Sequence, residues 1–116
     1  MPAPPTQAIF TGHRTVHGQD PVPVLVTASC SPERPWFIRL CCVDEQAHEI
    51  ATWSFSLGAL FDGLTAPVTS QGVTVQPMAF ALLFSLSGGT RRSLVQLDRA
   101  EVGAFLVRLF LSESLL

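Results

Sequence analysis

Apolar and polar positions change period near the middle of the chain, at Ser56. Before it, Ala51, Trp53 and Phe55 alternate with Thr52 and Ser54, which puts the apolar side chains on one face of an extended segment. After it, Leu57, Leu60, Phe61 and Leu64 recur at helical spacing. Ser56 suits an N-cap, and Gly63 suits a helix end in the left-handed conformation, where a Cβ would clash. The pattern predicts a strand that runs directly into a short helix, with Trp53, Phe55, Leu60 and Phe61 at the centre of the core.

The same reading extends along the chain. Residues 1–6 hold three of the nine prolines and predict a loose tail, with residues 7–116 as a single domain. Gln7 to Val16 reads as a first strand. A turn at Gly18–Pro21 precedes a second, in which Val22, Val24 and Val26 alternate with Pro23, Leu25 and Thr27. Proline donates nothing to a ladder, so this strand should lie at a sheet edge or have its start at Pro23. Ser29 to Pro35 reads as a loop. Trp36 to Val43 is apolar almost throughout, except at Arg39, which predicts a strand covered on both faces.

Asp44 to Ala47 then forms a hairpin turn, and Glu49 to Phe55 is the return strand. Beyond the short helix, Thr65 to Gln71 reads as a loop, and Val73 and Val75 mark a strand ended by Pro77. Phe80, Leu82, Phe84 and Leu86 share one face of the next strand. Gly88-Gly89 is a turn signal, and Arg91 to Leu97 returns. Asp98 caps a last helix, with Glu101 in the capping-box position. Val102, Phe105, Leu106, Leu109 and Phe110 form its apolar stripe. The fold class is therefore α+β, with mostly antiparallel sheets, a short central helix and a C-terminal helix.

Composition sharpens this picture. Apolar residues make up 47% of the 116 and charged residues only 14%, about half the usual share, which fits either a subunit interface or the ordinary apolar surface of a small protein. The net charge is −2, with seven arginines, no lysine and no basic run, which argues against duplex nucleic acid as a partner. No apolar run approaches the ~20 residues that span a bilayer. The first seven residues lack the regions of a signal peptide, so a cytoplasmic chain with reduced thiols is expected.

Candidate chemistry adds little. His13 and His17 are four apart, but the threonines and valine around them disfavour a helix, and no third ligand lies near. His48 reads as a solvated turn residue. Cys30, Cys41 and Cys42 are odd in number and lack C-x-x-C spacing. Adjacent Cys41 and Cys42 would point to opposite faces of a strand, a poor disulfide or metal pair. Asp44, Glu45, Asp62, Asp98 and Glu101 all have turn or helix-end positions. Ser87-Gly88-Gly89-Thr90 lies between strands rather than ahead of a helix, which is the wrong place for a phosphate loop. No catalytic residue, metal or cofactor is expected.

Thr52-Trp53-Ser54-Phe55, then Leu57, then Leu60-Phe61-Asp62-Gly63-Leu64, resembles the most recognisable block of the SsgA-like sporulation and cell-division proteins of filamentous actinobacteria. The flanks resemble that family too. Pro21-Val22-Pro23-Val24 and Arg34-Pro35-Trp36-Phe37-Ile38-Arg39 match its early strands, and Gly72-Val73-Thr74-Val75-Gln76-Pro77 a later one. Ser93-Leu94 through Phe105-Leu106 matches its final helix. The likeness is colinear over about residues 20–110.

The resemblance implies a whirly-like arrangement, assembly as a trimer, and non-enzymatic adaptor work in sporulation-specific division. The partner it implies is the tubulin-like division protein FtsZ, recruited or positioned at septa. Trp53, Phe55, Leu60, Phe61, Gly63 and Leu64 carry the signature as structural core residues, and no contact site is carried over. One departure is Ser56-Leu57-Gly58-Ala59, where the family opens the short helix with an arginine and an acidic residue. Another is the end at Leu116, where members continue with a polar, acidic tail. Two other function classes stay open. Whirly-like folds also host single-strand nucleic-acid binders, and a deep polar pocket would favour a ligand-binding or enzymatic domain.

Overall fold

The structure is a computed structural model, and it describes residues 6–16, 19–30, 33, 34, 36–88 and 91–114. Its elements are β1 (Thr6–Val16), β2 (Val22–Cys30), β3 (Phe37–Val43), β4 (Glu49–Ser56), α1 (Leu57–Asp62), β5 (Val68–Ser70), β6 (Val73–Pro77), β7 (Ala81–Gly88), β8 (Arg91–Asp98) and α2 (Arg99–Ser114). The expected tail lies outside the described residues except for Thr6, which opens β1.

All eight strands join one sheet in the order β4-β3-β2-β1-β8-β7-β6-β5. Each half of the chain forms an antiparallel meander, and the halves meet where β1 pairs with β8, from Gly12 opposite Leu97 to Val16 opposite Ser93. Gly12 is essential to that seam. A Cβ there would fall 2.3 Å from the Gln96 carbonyl oxygen and 2.7 Å from the Leu97 side chain.

The sheet buries one face only. In β2, Val24, Val26, Ala28 and Cys30 are buried and the residues between them are not. In β3 the buried set is Ile38, Leu40 and Cys42. The expectation that β3 is covered on both faces is therefore corrected: Phe37 and Arg39 are exposed, because both helices pack on the sheet's inner side. The sheet curls around that side until Phe84 of β7 meets Phe55 of β4, with ring centroids 5.8 Å apart. Helix α2 packs on β1, β7 and β8, with Phe105 edge-on to Phe10 at 5.8 Å. Helix α1 touches both β4 and β5, the two outer strands of the sheet, and so covers edges that would otherwise invite pairing.

Local signals account for most boundaries. Ser56 caps α1, its hydroxyl accepting from the Ala59 amide at 3.1 Å. The Asp98 carboxylate accepts from the Glu101 amide at 2.9 Å and starts α2. The buried stripe of α2 is Val102, Phe105, Leu106 and Leu109, while the Phe110 side chain lies outside the described residues. Pro23 is the second residue of β2, whose ladder with β3 begins only at Leu25, so an interior strand tolerates it. The Gly88-Gly89 turn falls partly outside the described residues, but β7 and β8 pair out to Gly88 opposite Arg91.

Four further expectations change. Gly63 is right-handed (φ −64°), so its need for glycine is steric: a Cβ would sit 2.5 Å from Val75 Cγ1. Phe61 is 49% exposed rather than in the core. The inward arc of α1 centres between Leu57 and Leu60, and at 100° per residue Phe61 stands about 70° off that centre. Phe80 is 86% exposed because the Met78–Ala81 turn, closed by the Met78 amide on the Ala81 carbonyl, leaves it ahead of β7. The loop expected at Thr65–Gln71 contains β5. Its hairpin with β6 turns through Gln71 (φ 54°) and Gly72 (φ 77°), two left-handed residues that fit a two-residue connection.

Candidate functional site

One concavity is an open groove of about 800 Å³, within the range of ligand clefts. It forms where the β1–β8 seam meets the start of β2, the turn after β3, the turn ahead of β7 and the first turn of α2. Val24, Leu25, Val43, Phe80, Ala81 and Leu97 supply an apolar surface. Asp44, Glu45, Asp98 and Glu101 add four carboxylates, and among the described residues no arginine lines the groove.

Two of those carboxylates already serve the backbone. Asp44 Oδ1 accepts from the amides of Gln46 (2.9 Å) and His48 (2.8 Å), and Oδ2 lies 3.7 Å from His48 Nδ1. The pair of bonds, with Ala47 at φ 63°, fixes the β3–β4 turn. Asp98 caps α2. Glu45 and Glu101 are exposed, and no hydrogen bond or ion pair among the described residues engages their side chains. His13 also lines the groove, from the exposed face of β1. A smaller hollow of about 380 Å³ shares Phe80 and Asp98 with it and is lined by Leu64, Arg99 and Gly103. Arg99 fixes this corner, its amide donating to the Phe80 carbonyl and its guanidinium to the Met78 carbonyl, both at 3.1 Å.

The sequence-level candidates lie elsewhere. Trp53, Phe55 and Leu60 are buried, Gly63 is buried against Val75, Leu64 packs partly buried on the core, and Phe61 is exposed. None of the six lines the groove. Of the histidine pair, His13 sits in a strand and His17 lies outside the described residues. Among the described residues no group of three His, Cys, Asp or Glu side chains is placed to hold a metal. Cys42 is fully buried and Cys41 partly so, as adjacent strand residues on opposite faces. Burial pushes the Cys42 thiol up to about 11, against the opposing pull of the Arg14 guanidinium. That places it far from the thiolate chemistry of a nucleophile. Sequence reasoning missed the groove because five separate stretches of chain build it. Its carboxylates each read as turn or cap residues, and its most exposed aromatic, Phe80, read as part of a strand.

Comparison with solved proteins defines the class first. The fold matches the SsgA-like sporulation-specific cell division protein of Thermobifida fusca with a TM-score of 0.83, over 92% of this chain and 80% of that one, at 18% identity. It matches SsgB of Streptomyces coelicolor, whose mutations correlate with longitudinal division during sporulation, with a TM-score of 0.76. That match covers 93% of this chain and 89% of the other, again at 18% identity. By architecture the chain has the fold of these SsgA-like proteins.

Sequence carries the assignment further. The family described as "Streptomyces sporulation and cell division protein, SsgA" matches residues 24–110. The sporulation-specific cell division protein SsgB of Frankia casuarinae is 33% identical over 99 residues, which cover 82% of this chain and 68% of that protein. The chain belongs to the SsgA family of sporulation and cell-division proteins. Membership supports a role in sporulation septation. Among the described residues no helix is long and apolar enough to cross a membrane.

Proposed function

We propose that this protein is a non-enzymatic adaptor of sporulation-specific cell division that recruits or positions FtsZ at septa. The family match over residues 24–110 carries the reading. The low charge content supports a body made for docking, because it leaves large apolar residues such as Trp36, Phe37, Phe61 and Phe80 at the surface. The protein works in the cytoplasm and concentrates at division septa. It is whirly-like in arrangement and assembles as a trimer, so light scattering should give three times the 12.5 kDa of one chain. A clean monomer would contradict the assembly.

The test in cells is a fluorescent fusion in a sporulating actinomycete. It should coincide with FtsZ at nascent septa, and removal of the protein should leave FtsZ misplaced. A diffuse signal together with unchanged septation would overturn the adaptor reading.

A further inference from the structure

We infer that the groove between the β3–β4 turn and the first turn of α2 is the partner-docking site of this adaptor. Its occupant is a short protein segment that alternates arginine or lysine with apolar side chains.

Three observations converge on that occupant. The groove is apolar where β1, β2 and β8 form it, so an apolar side chain gains by entering it. Phe80 stands at its margin 86% exposed, an aromatic that folding leaves almost wholly in water and that a partner would cover. The charged side chains that line it are carboxylates, while the Arg99 guanidinium lines the adjoining hollow and is held on the Met78 carbonyl. Four carboxylates line it, and no arginine does among the described residues, in a chain that has only nine acidic residues in all. Glu45 from one wall and Glu101 from the other are exposed and engage no other described side chain or amide, so they remain available as acceptors for a guanidinium or ammonium.

The same charge excludes other occupants. Phosphates of nucleic acid or of an anionic lipid surface would be repelled, and a purely apolar segment would leave Glu45 and Glu101 unmatched at the margin. The volume, about 800 Å³, takes several residues rather than a whole element. The turns that form its walls are fixed by Asp44 and by Asp98, so the site is largely pre-formed and costs little ordering.

This inference rests on the adaptor reading, since it names the surface and the chemistry that such an adaptor would use. The probes are two blocked peptides, Leu-Arg-Val-Arg-Leu and Leu-Glu-Val-Glu-Leu, titrated into the full 15N-labelled chain. The arginine peptide should shift the amides of Leu25, Ala47 and Ala81, and its binding should weaken steeply as salt rises. The double variant Glu45→Gln/Glu101→Gln should lose about three- to tenfold in affinity for it, as two exposed charge pairs allow. Phe80→Ala should weaken it too. Equal response to both peptides, response to neither, shifts confined to another face, or affinity unchanged in the double variant would each overturn the groove as the site. Binding of purified FtsZ to the double variant as tightly as to the wild type would also overturn it, yet would leave the adaptor reading standing. Failure of the wild type to bind FtsZ would sink the adaptor reading, while the peptide titration would still report on the groove.

Discussion

Trp53 and Phe84 lie with ring centroids 5.7 Å apart at 51°, although their strands are first and sixth in the sheet order. Four strands separate them along the ladder, so the contact exists only because the sheet curls until its inner face closes on itself. Trp53→Ala should cost about 3–5 kcal/mol, the usual range for emptying a buried aromatic site. In a double-mutant cycle with Phe84→Ala, urea titrations should show a coupling of about 0.5–1.5 kcal/mol. Additive losses would mean that the rings do not support one another. Trp53 Nε1 is buried without a protein partner among the described residues, so Trp53→Phe, which removes that donor, should cost much less than Trp53→Ala.

Gly63 tests a second closure. Its backbone suits any residue, yet a Cβ would press on Val75 Cγ1 at 2.5 Å. Gly63→Ala should destabilise by about 1–3 kcal/mol through overpacking. Adding Val75→Ala should return part of that loss relative to Val75→Ala alone. If the two effects simply add in thermal melts, the packing of α1 on β6 is not what requires the glycine.

Leu60 and Phe61 are adjacent but unequal. Leu60 is 1% exposed and Phe61 49%. Leu60→Ala should therefore cost about 2–5 kcal/mol. Phe61→Ala should cost less than half as much in the same denaturation assay. Equal losses would show that Phe61 packs inward.

The Cys42 thiol links stability to alkaline pH. An unfolded cysteine ionises near about 8.5. In the folded chain burial holds Cys42 at about 11. Below the lower value both states keep the proton and the contribution is constant. Between the two values only the unfolded state sheds it, so the native state binds more protons and stability falls as pH rises through this window. Urea midpoints should drop more steeply from pH 8 to pH 10.5 for the wild type than for Cys42→Ala. Parallel curves would contradict the burial. Iodoacetamide at pH 8 should leave Cys42 unmodified until the chain is unfolded.

Period and caps made much of the fold legible in the sequence. Alternation located β2, β4, β6 and β8, and side-chain caps located α1 at Ser56 and α2 at Asp98, because these signals act over four or five residues. Exposure was less legible. Phe37 and Phe80 have core chemistry but surface positions, decided by which side of the sheet the helices occupy and by a turn whose bond joins Met78 to Ala81. β5 escaped notice because three residues carry too little pattern, while its turn, Gln71-Gly72, holds two positive φ angles. The groove was hidden for a stronger reason. Glu45 and Glu101 are 56 positions apart and become neighbours of one concavity only after β1 pairs with β8.

The most direct test is co-sedimentation of the purified full chain with assembled FtsZ from a sporulating actinomycete. The protein should pellet with FtsZ polymers in a saturable manner, and Phe80→Ala and Glu45→Gln/Glu101→Gln should reduce the pelleted fraction while leaving the thermal melt nearly unchanged. A wild-type chain that stays in the supernatant at every FtsZ concentration would contradict the adaptor reading.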